Sequence, residues 1–594
     1  MKLKYFLFFC LSVYVLSTQY STATVRYVSK TGTSTPPYTT WQTAADSIQK
    51  CINICVDGDT IYVANGVYKE NLVINTAINL IGSSMDSTVI DGTALRDTTI
   101  FTNASCYIEN FNIYGKGAYQ ITWCIWAKEY LSLENCRISK TGLGIVILRR
   151  SSMVKNVILR ELIRGYDAGC LNNNCSNYFE NSIVEVNQNN SKAIRIDIGG
   201  DYYIRNNILL FTGTNSMESG ISVGATKKVF IENNLICRFN QSIFFDTVID
   251  TGFIKNNILV YQSGQGASSS IWSSGNKLFA NNIILANNIR GMYHSGSGFI
   301  RSNYNIFWKN EQDLFGLNYG DSDRVADPMF KNDTIPTANE NYDFHLQKYS
   351  PAIDKGDPNI LDVDGTRSDI GMYGGPFGES YTYQDLVPLA PRNLSAVVDT
   401  TQILLKWNHN TEADTAYYKV YRDTTVNFTL DSTKLVSSAS DTFFVQLPPY
   451  FGSKYVYKIT CVDNQGNESK PSEEVIVDLT SVSTDDYPMT INDYLLYPNY
   501  PNPFNPSTII GYKLKERAYV KLMVYDIKGE LVTVLVNKEQ NAGYYEVEFS
   551  SSSIQHQGSS IKGIASGIYL YRIEVIGEGN IPVYTEMKKM LLIK

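Results

Sequence analysis

The 594-residue chain has few of the residues that many functional classes need. It holds 4 histidines, and no zinc motif, glycine-rich nucleotide loop or nucleophile triad can be traced. Lys and Arg number 51 against 58 Asp and Glu, and the net charge of −7 comes with no basic block, which argues against a nucleic-acid partner. Beyond the N terminus, no run reaches the ~18 apolar residues of a membrane helix. Cysteine is sparse and unpatterned. Cys10 lies in an apolar N-terminal run, and the other nine show no disulfide framework. Cys106, Cys124, Cys136, Cys170, Cys175 and Cys237 fall in strand-like segments and read as small apolar core residues. Cys51 and Cys55 would stand one helical turn apart, with no further ligands nearby to hold a metal.

What is abundant is strand and turn chemistry. The chain has 42 tyrosines, is 43% hydrophobic and only 18% charged, and carries an asparagine-rich middle. Its length exceeds a single core, so several domains are expected. Lys2 and Lys4 precede the apolar run Tyr5 to Leu16, and a small polar stretch, Ser17 to Thr24, follows. This is the pattern of a cleaved export signal, placed at residues 1–23.

A short phrase recurs through the first half: an apolar residue, a polar residue, Asn, then another apolar strand. It reads Ile108-Glu109-Asn110, Leu133-Glu134-Asn135, Val154-Lys155-Asn156, Phe179-Glu180-Asn181, Ile204-Arg205-Asn206, Ile231-Glu232-Asn233 and Ile254-Lys255-Asn256. Phe279-Ala280-Asn281 and Ile300-Arg301-Ser302 extend it, at spacings of 21 to 27 residues. One such copy cannot bury its own apolar face, whereas stacked copies can, each strand pairing with its equivalent at ~4.8 Å. Asn suits the corner because it tolerates left-handed backbone, and stacked amides can bond along the axis. Trp41, Ala44, Ala45, Ile48 and Ile52 have helical spacing, so an amphipathic helix over Thr40 to Cys55 is expected to cap the open end.

The opening segment, Tyr27-Val28-Ser29 through Gly58-Asp59-Thr60-Ile61-Tyr62-Val63-Ala64-Asn65-Gly66-Val67-Tyr68, resembles the pectin-lyase-like right-handed parallel β-helix proteins. Ser350-Pro351-Ala352-Ile353-Asp354-Lys355-Gly356-Asp357-Pro358, with Asp362-Val363-Asp364-Gly365 and Asp369-Ile370-Gly371, resembles a tail of bacterial surface β-helix proteins. The resemblance covers residues 25–378. It implies the fold but not one activity, since that fold hosts lyases, hydrolases and adhesins.

After a polar linker at 379–390, seven short alternating strands are expected within 388–480. The Trp407 strand, Leu447-Pro448 leading to Tyr455, and Val462-Asp463-Asn464-Gln465-Gly466-Asn467-Glu468-Ser469 resemble a fibronectin type III β-sandwich. A second polar linker covers 481–494. Residues 495–594 resemble the type A sorting domain of the type IX secretion system. The matching pieces are Leu496-Tyr497-Pro498-Asn499, Pro501-Asn502-Pro503-Phe504-Asn505-Pro506-Ser507-Thr508, Val524-Tyr525-Asp526-Ile527-Lys528-Gly529, Ala542-Gly543-Tyr544-Tyr545-Glu546-Val547, Ala565-Ser566-Gly567-Ile568-Tyr569-Leu570-Tyr571 and Lys588 to Lys594. This implies the type IX secretion and sorting machinery as a partner, and a secreted or outer-surface destination. The expected class is therefore all-β: a right-handed parallel β-helix followed by two β-sandwiches.

Aligning one strand per coil gives an outward column of Trp126, Val146, Cys170, Arg195, Ser222, Phe244, Trp272 and Tyr293. A row of exposed aromatics suggests a binding strip, and flat sugar rings stack on aromatic faces. The expected carbohydrate-binding residues are Trp126, Arg195, Phe244, Trp272 and Tyr293, with an extracellular polysaccharide as ligand. Loops covering this face would instead make the aromatics a satellite core. Cleavage would make the protein a glycoside hydrolase, using Asp197 and Asp246 as the carboxyl pair, or a polysaccharide lyase, using Lys128 or Arg195 as base. A non-catalytic adhesin or structural surface protein is the alternative. In the acidic loop, Asp357, Asp362 and Asp364 are candidates for calcium, against a turn-rich cap without metal. His294 aligns with inward positions and reads as a core residue.

Overall fold

In the computed structural model, the described residues are 22–93, 97–117, 122–171, 174–213, 218–245, 250–261, 269–274, 277–286, 288–334, 342–398, 402–446, 454–479, 494–499, 502–551, 564–577 and 582–593. The export signal expected at 1–23 lies almost wholly outside them. The chain divides into two compact units: residues 1–388 with 410–416 and 462–468, and residues 389–409 with 417–461 and 469–594.

The first unit is a parallel β-solenoid. Among the described residues, its strands form three parallel sheets of 12, 12 and 11 strands, which the chain visits in rotation. One coil runs Cys106–Glu109 in the first sheet, Asn112–Tyr114 in the second and Trp123–Ala127 in the third, before Leu131–Glu134 returns to the first. Ile108, Leu133, Val154, Phe179, Ile204 and Ile231 share one inward file, all at most 1% exposed. Fully burying such a side chain is worth about 1.5–3 kcal/mol, and one coil alone could not achieve it.

The corner between the first two sheets explains the asparagine repeat. Asn110, Asn135, Asn156, Asn181, Asn206, Asn233 and Asn256 all have φ between 50° and 63°. The next two copies need a correction. Lys255 pairs with Asn281 and Ala280 with Ser302, so the left-handed corner residues are Asn282 (φ 57°) and Tyr304 (φ 56°). The phrase Phe279-Ala280-Asn281 imitates the repeat one residue early, because two asparagines are adjacent there. Immediately after the corner, a second set of amides turns inward. The Asn207 side-chain N–H donates to Asn234 Oδ1 at 3.0 Å, and that of Asn234 donates to Asn257 Oδ1 at 3.0 Å. All three side chains are 0% exposed, and the ladder supplies the partners that buried amides need.

At the open end, the helix is shorter than expected. It spans Ile48–Ile52 only, with Ser47 as its N-cap, and Ile48, Cys51 and Ile52 are buried. Trp41 stays outside, 45% exposed, against the Tyr27 ring at 4.5 Å. The periodic apolar residues before Ser47 are held by the first strand instead: Ala45 bridges Val28, its amide donating to the Tyr27 carbonyl (2.9 Å) and its carbonyl accepting from the Ser29 amide (2.8 Å). The outer face of the second sheet is closed by the tail, where Phe330, Phe344, Leu346, Ala352 and Ile370 pack on Leu235, Ile258, Ile284 and neighbouring residues. The Asn233 side chain donates to the carbonyls of Met372 (2.8 Å) and Gly374 (2.6 Å), fastening that tail to the corner.

The remaining strands are antiparallel. Ser395–Val398, Ile403–Lys406 and Phe443–Gln446 make one sheet, and Leu435–Ala439, Thr415–Asp423, Lys454–Asp463 and Val475–Asp478 another. They enclose Leu405, Trp407, Tyr418, Tyr457 and Ile459, in keeping with the seven expected strands. A separate core, including Ile510, Val520, Leu522, Tyr571 and Ile573, lies between sheets of three and four strands formed from Leu495 to Leu592. Among the described residues, no helix is long and apolar enough to cross a membrane.

Candidate functional site

Side chains alternate along a strand, so each rung of the third sheet aims one residue in every two away from the core. On the outward rung Phe101, Trp126, Val146, Asp167, Arg195, Ser222, Phe244, Trp272, Tyr293 and Phe315 follow one another in register. The expected carbohydrate-binding residues therefore do share one file. One member differs: Asp167, not Cys170, occupies the fourth coil. Cys170 lies just past the strand Arg164–Gly169 and is disulfide-bonded to Cys175. The apolar-core reading therefore fails for these two cysteines. The small residues Ala168-Gly169 drew the alignment off by three. A surer guide was available in the glycine before the inward residue, since Gly144-Ile145-Val146, Gly165-Tyr166-Asp167, Gly220-Ile221-Ser222 and Gly291-Met292-Tyr293 are all in register.

The file has aromatic ends and a charged middle. At one end Phe101 and Trp123 flank Trp126, with ring centroids 5.3 and 5.4 Å away. The Lys128 ammonium lies over the Phe101 and Trp126 rings at 4.9 and 5.6 Å. At the other end Phe244, Trp272, Tyr293 and Phe315 form an unbroken stack, with successive centroids 4.8, 5.7 and 4.9 Å apart. Phe244, Trp272 and Tyr293 are half-buried, and Phe315 is 42% exposed. His294, next to this stack in sequence, is buried as expected.

In the middle, Arg195 donates through Nη2 to Asp197 at 2.9 Å and through Nη1 to both oxygens of Asp167 at 3.4 Å. Arg164 Nη1 adds a 3.1 Å bond to Asp167, and Lys192 Nζ donates to Ser222 Oγ at 3.0 Å. Sequence reasoning missed Asp167, Arg164 and Lys192. Of the proposed catalytic carboxyl pair, Asp197 is half exposed and ion-paired, and Asp246 lies outside the described residues. Lys128 and Arg195 sit in different parts of the file, so the structure does not bring them together. Glu218, just ahead of the strand Ser219–Ala225, is fully buried with no hydrogen-bond partner on either carboxyl oxygen, and burial pushes its pKa up.

A second aromatic file runs along the first sheet. Tyr178, Tyr203, Phe230, Phe253 and Phe279 stack at 4.7, 4.9, 5.0 and 5.4 Å, within 13° of parallel. Its signal was legible one residue ahead of each inward repeat position, in Tyr178-Phe179, Tyr203-Ile204, Phe230-Ile231 and Phe253-Ile254. These faces cover one another, and Arg205 lies over both Tyr203 (4.9 Å) and Phe377 (4.1 Å), as expected of a cross-strand packing ladder.

The candidate calcium ligands are held apart by their own turns. Asp362 accepts main-chain N–H bonds from Asp369 (3.0 Å) and Gly375 (2.5 Å). Asp364 accepts from the Thr366 amide (3.0 Å) and hydroxyl (2.8 Å), and Asp357 from the Asn359 amide (3.0 Å). Among the described residues, three carboxylates converge at a different place, Asp385, Asp414 and Asp463.

No protein-family model matches the chain. A stretch of 221 residues, 33% of this chain, is 24% identical to an amylopullulanase from Thermoanaerobacter thermohydrosulfuricus, and the chain spans 13% of that protein. A Fn3-like protein from Clostridium thermocellum is similar at 28% identity, over 15% of this chain and 92% of its own, with a TM-score of 0.14. The dimeric latent PorU from Porphyromonas gingivalis is similar at 16% identity, over 37% of this chain and 21% of its own, with a TM-score of 0.16. TM-scores this low carry no argument.

Proposed function

We propose that this is a secreted or surface-anchored protein whose solenoid binds an extracellular polysaccharide along the outward file of the third sheet. The observation that carries the reading is the stack Phe244–Trp272–Tyr293–Phe315, which runs directly into the charged centre at Ser222, Arg195 and Asp167. Ser222 itself is buried under Lys192, so the accessible groups are Phe315 at the outer end of the stack, 42% exposed, and the Arg195 and Asp197 side chains beyond Ser222, which can meet sugar hydroxyls. Apolar platforms with a few convergent polar groups are the usual composition of a ligand site. Five rungs separate Trp126 from Phe244, about 24 Å at ~4.8 Å per rung, a spacing suited to a chain rather than a monosaccharide. The stretch shared with an amylopullulanase supports a carbohydrate ligand.

Binding without cleavage is favoured over catalysis. Arg195 bridges Asp167 and Asp197, and Arg164 also pairs with Asp167, so two guanidiniums balance the two carboxylates. A glycosidase needs a pair of free carboxyls flanking the scissile bond, and both of these are held in ion pairs. The resemblance of residues 495–594 to a type IX sorting domain, with the signal-like N terminus, supports delivery to the cell surface.

The test is a glycan array with the full chain, followed by titration of the best ligand against Trp272→Ala. Removing this ring is expected to weaken binding about tenfold, the scale of a 1–3 kcal/mol aromatic anchor, with a small fall in Tm from the lost stacking on Phe244 and Tyr293. Retention equal to the parent chain removes the binding strip. New reducing ends or unsaturated products on incubation would replace binding by hydrolysis or elimination.

A further inference from the structure

The carboxylate cluster outside this face has a feature that turn geometry does not account for. Asp385, Asp414 and Asp463 each bring a carboxylate oxygen within 4.8 Å of the other two. All three belong to the first compact unit. Asp385 follows Gln384, which is bridged to Gln347. The 410–416 segment is fastened by the Thr411 hydroxyl, which donates to Asp327, and by the Ala413 amide, 3.4 Å from Met329 Sδ. The Asn464 N–H donates to the Asp414 carbonyl at 2.9 Å, which fixes Asp463 beside it.

Asp463 is satisfied as a turn cap, accepting from the Gln465 amide (3.0 Å), the Asn467 amide (2.8 Å) and the Asn467 side chain (2.9 Å). Asp414 is not. It is 7% exposed, and among the described residues no other residue donates a hydrogen bond to its carboxylate and no Lys or Arg pairs with it. The carboxylates of Asp463, Asp385 and Glu412 all act on its charge. Three like charges gathered around a buried, unpartnered carboxylate are mutually destabilising unless a cation joins them.

We propose that Asp385, Asp414 and Asp463 bind a calcium ion. Oxygens coordinating a common ion at about 2.4 Å lie at most about 4.8 Å apart, and the three carboxylates each bring an oxygen inside that limit. The donor set is all oxygen, with no His or Cys, so a hard cation is selected over zinc. Calcium accepts the irregular, water-completed shell that one exposed and two buried carboxylates give, whereas magnesium demands near-ideal octahedral geometry.

The full chain, stripped with a chelator, is titrated with calcium chloride by calorimetry and by thermal unfolding. One site is expected, with a calcium-dependent rise in Tm, because the ion binds the folded chain alone. Asp414→Asn is expected to abolish the heat. Asp385→Asn, an exposed change that leaves the fold intact, is expected to weaken affinity about tenfold or more, as one of three charged ligands is lost. Asp364→Asn, in the separate acidic loop, is expected to bind as the parent does. No heat and no Tm shift in the parent overturns the proposal. So does calcium binding that survives Asp385→Asn and Asp414→Asn, or that is lost with Asp364→Asn instead.

Discussion

At the scale of single residues, the tail holds the clearest pH-sensitive group. Asp369 is 2% exposed, and burial pushes its pKa up to about 6, although the Asp354 amide (2.9 Å) and the Tyr383 hydroxyl (2.8 Å) both donate to it. The folded chain therefore holds this proton more tightly than the unfolded chain does. Its contribution to stability is complete below the usual carboxylate range and is lost as pH rises through about 6. Replacing it by Asn fixes the neutral form. Urea unfolding at pH 4 to 8 is expected to show the parent losing stability relative to Asp369→Asn between pH 4 and 7. Parallel curves for the two proteins would mean that the carboxylate is ionised in the folded tail throughout. Elsewhere the local chemistry is more permissive. Asp357, Asp362 and Asp364 were calcium candidates because Asp-x-Asp-Gly suits both metals and tight turns; Asp357 and Asp364 each cap the amide two residues ahead, while Asp362 accepts from the more distant Asp369 and Gly375 amides.

At the scale of the strand and its corner, the repeated asparagine is a backbone requirement. Asn206 has φ 54°, and its main-chain N–H donates to the Glu232 carbonyl at 3.2 Å, continuing the ladder through the turn. A β-branched side chain at this φ costs about 1–2 kcal/mol, and glycine avoids that strain. Asn206→Val is accordingly expected to lower the urea midpoint by an amount equivalent to about 1–2 kcal/mol, with Asn206→Gly falling closer to the parent. Equal losses in both variants would show that the amide, and not the backbone, is what the corner needs. This element was readable in advance because the αL preference of Asn and the alternation of the strand are local properties. What was not readable were features that depend on neighbouring coils. The inward ladder Asn207–Asn234–Asn257 shows only when three corners are stacked, whereas the rung of Asp167 was marked locally by Gly165 ahead of the inward Tyr166. The cap helix failed for a related reason. Ala44 and Ala45 have helical spacing, but pairing with the first strand at Val28 captured that segment.

At the scale of the whole chain, ligand binding and delivery are assigned to different residues, and that separation can be tested. The core around Ile510, Leu522 and Tyr571 is distinct from the solenoid core and from that around Trp407 and Tyr457. The Asn499 amide donates to the Tyr571 hydroxyl at 2.7 Å, and that hydroxyl donates to the Tyr497 carbonyl at 2.9 Å, so the entry segment of the last sandwich is tied to its own strands. None of the proposed glycan contacts lies in it. A chain ending at residue 494 should therefore keep the parent affinity for the polysaccharide while losing its route to the surface. In a bacterial host that carries a type IX secretion system, the truncated protein is expected to be retained within the cell envelope and shielded from added protease, with the full chain exposed or released. If the truncated chain reaches the surface as readily as the parent, residues 495–594 are a structural sandwich and not an export signal. If it reaches the surface less but also binds less, the two functions share residues, and the assignment of the ligand to the third sheet of the solenoid has to be withdrawn.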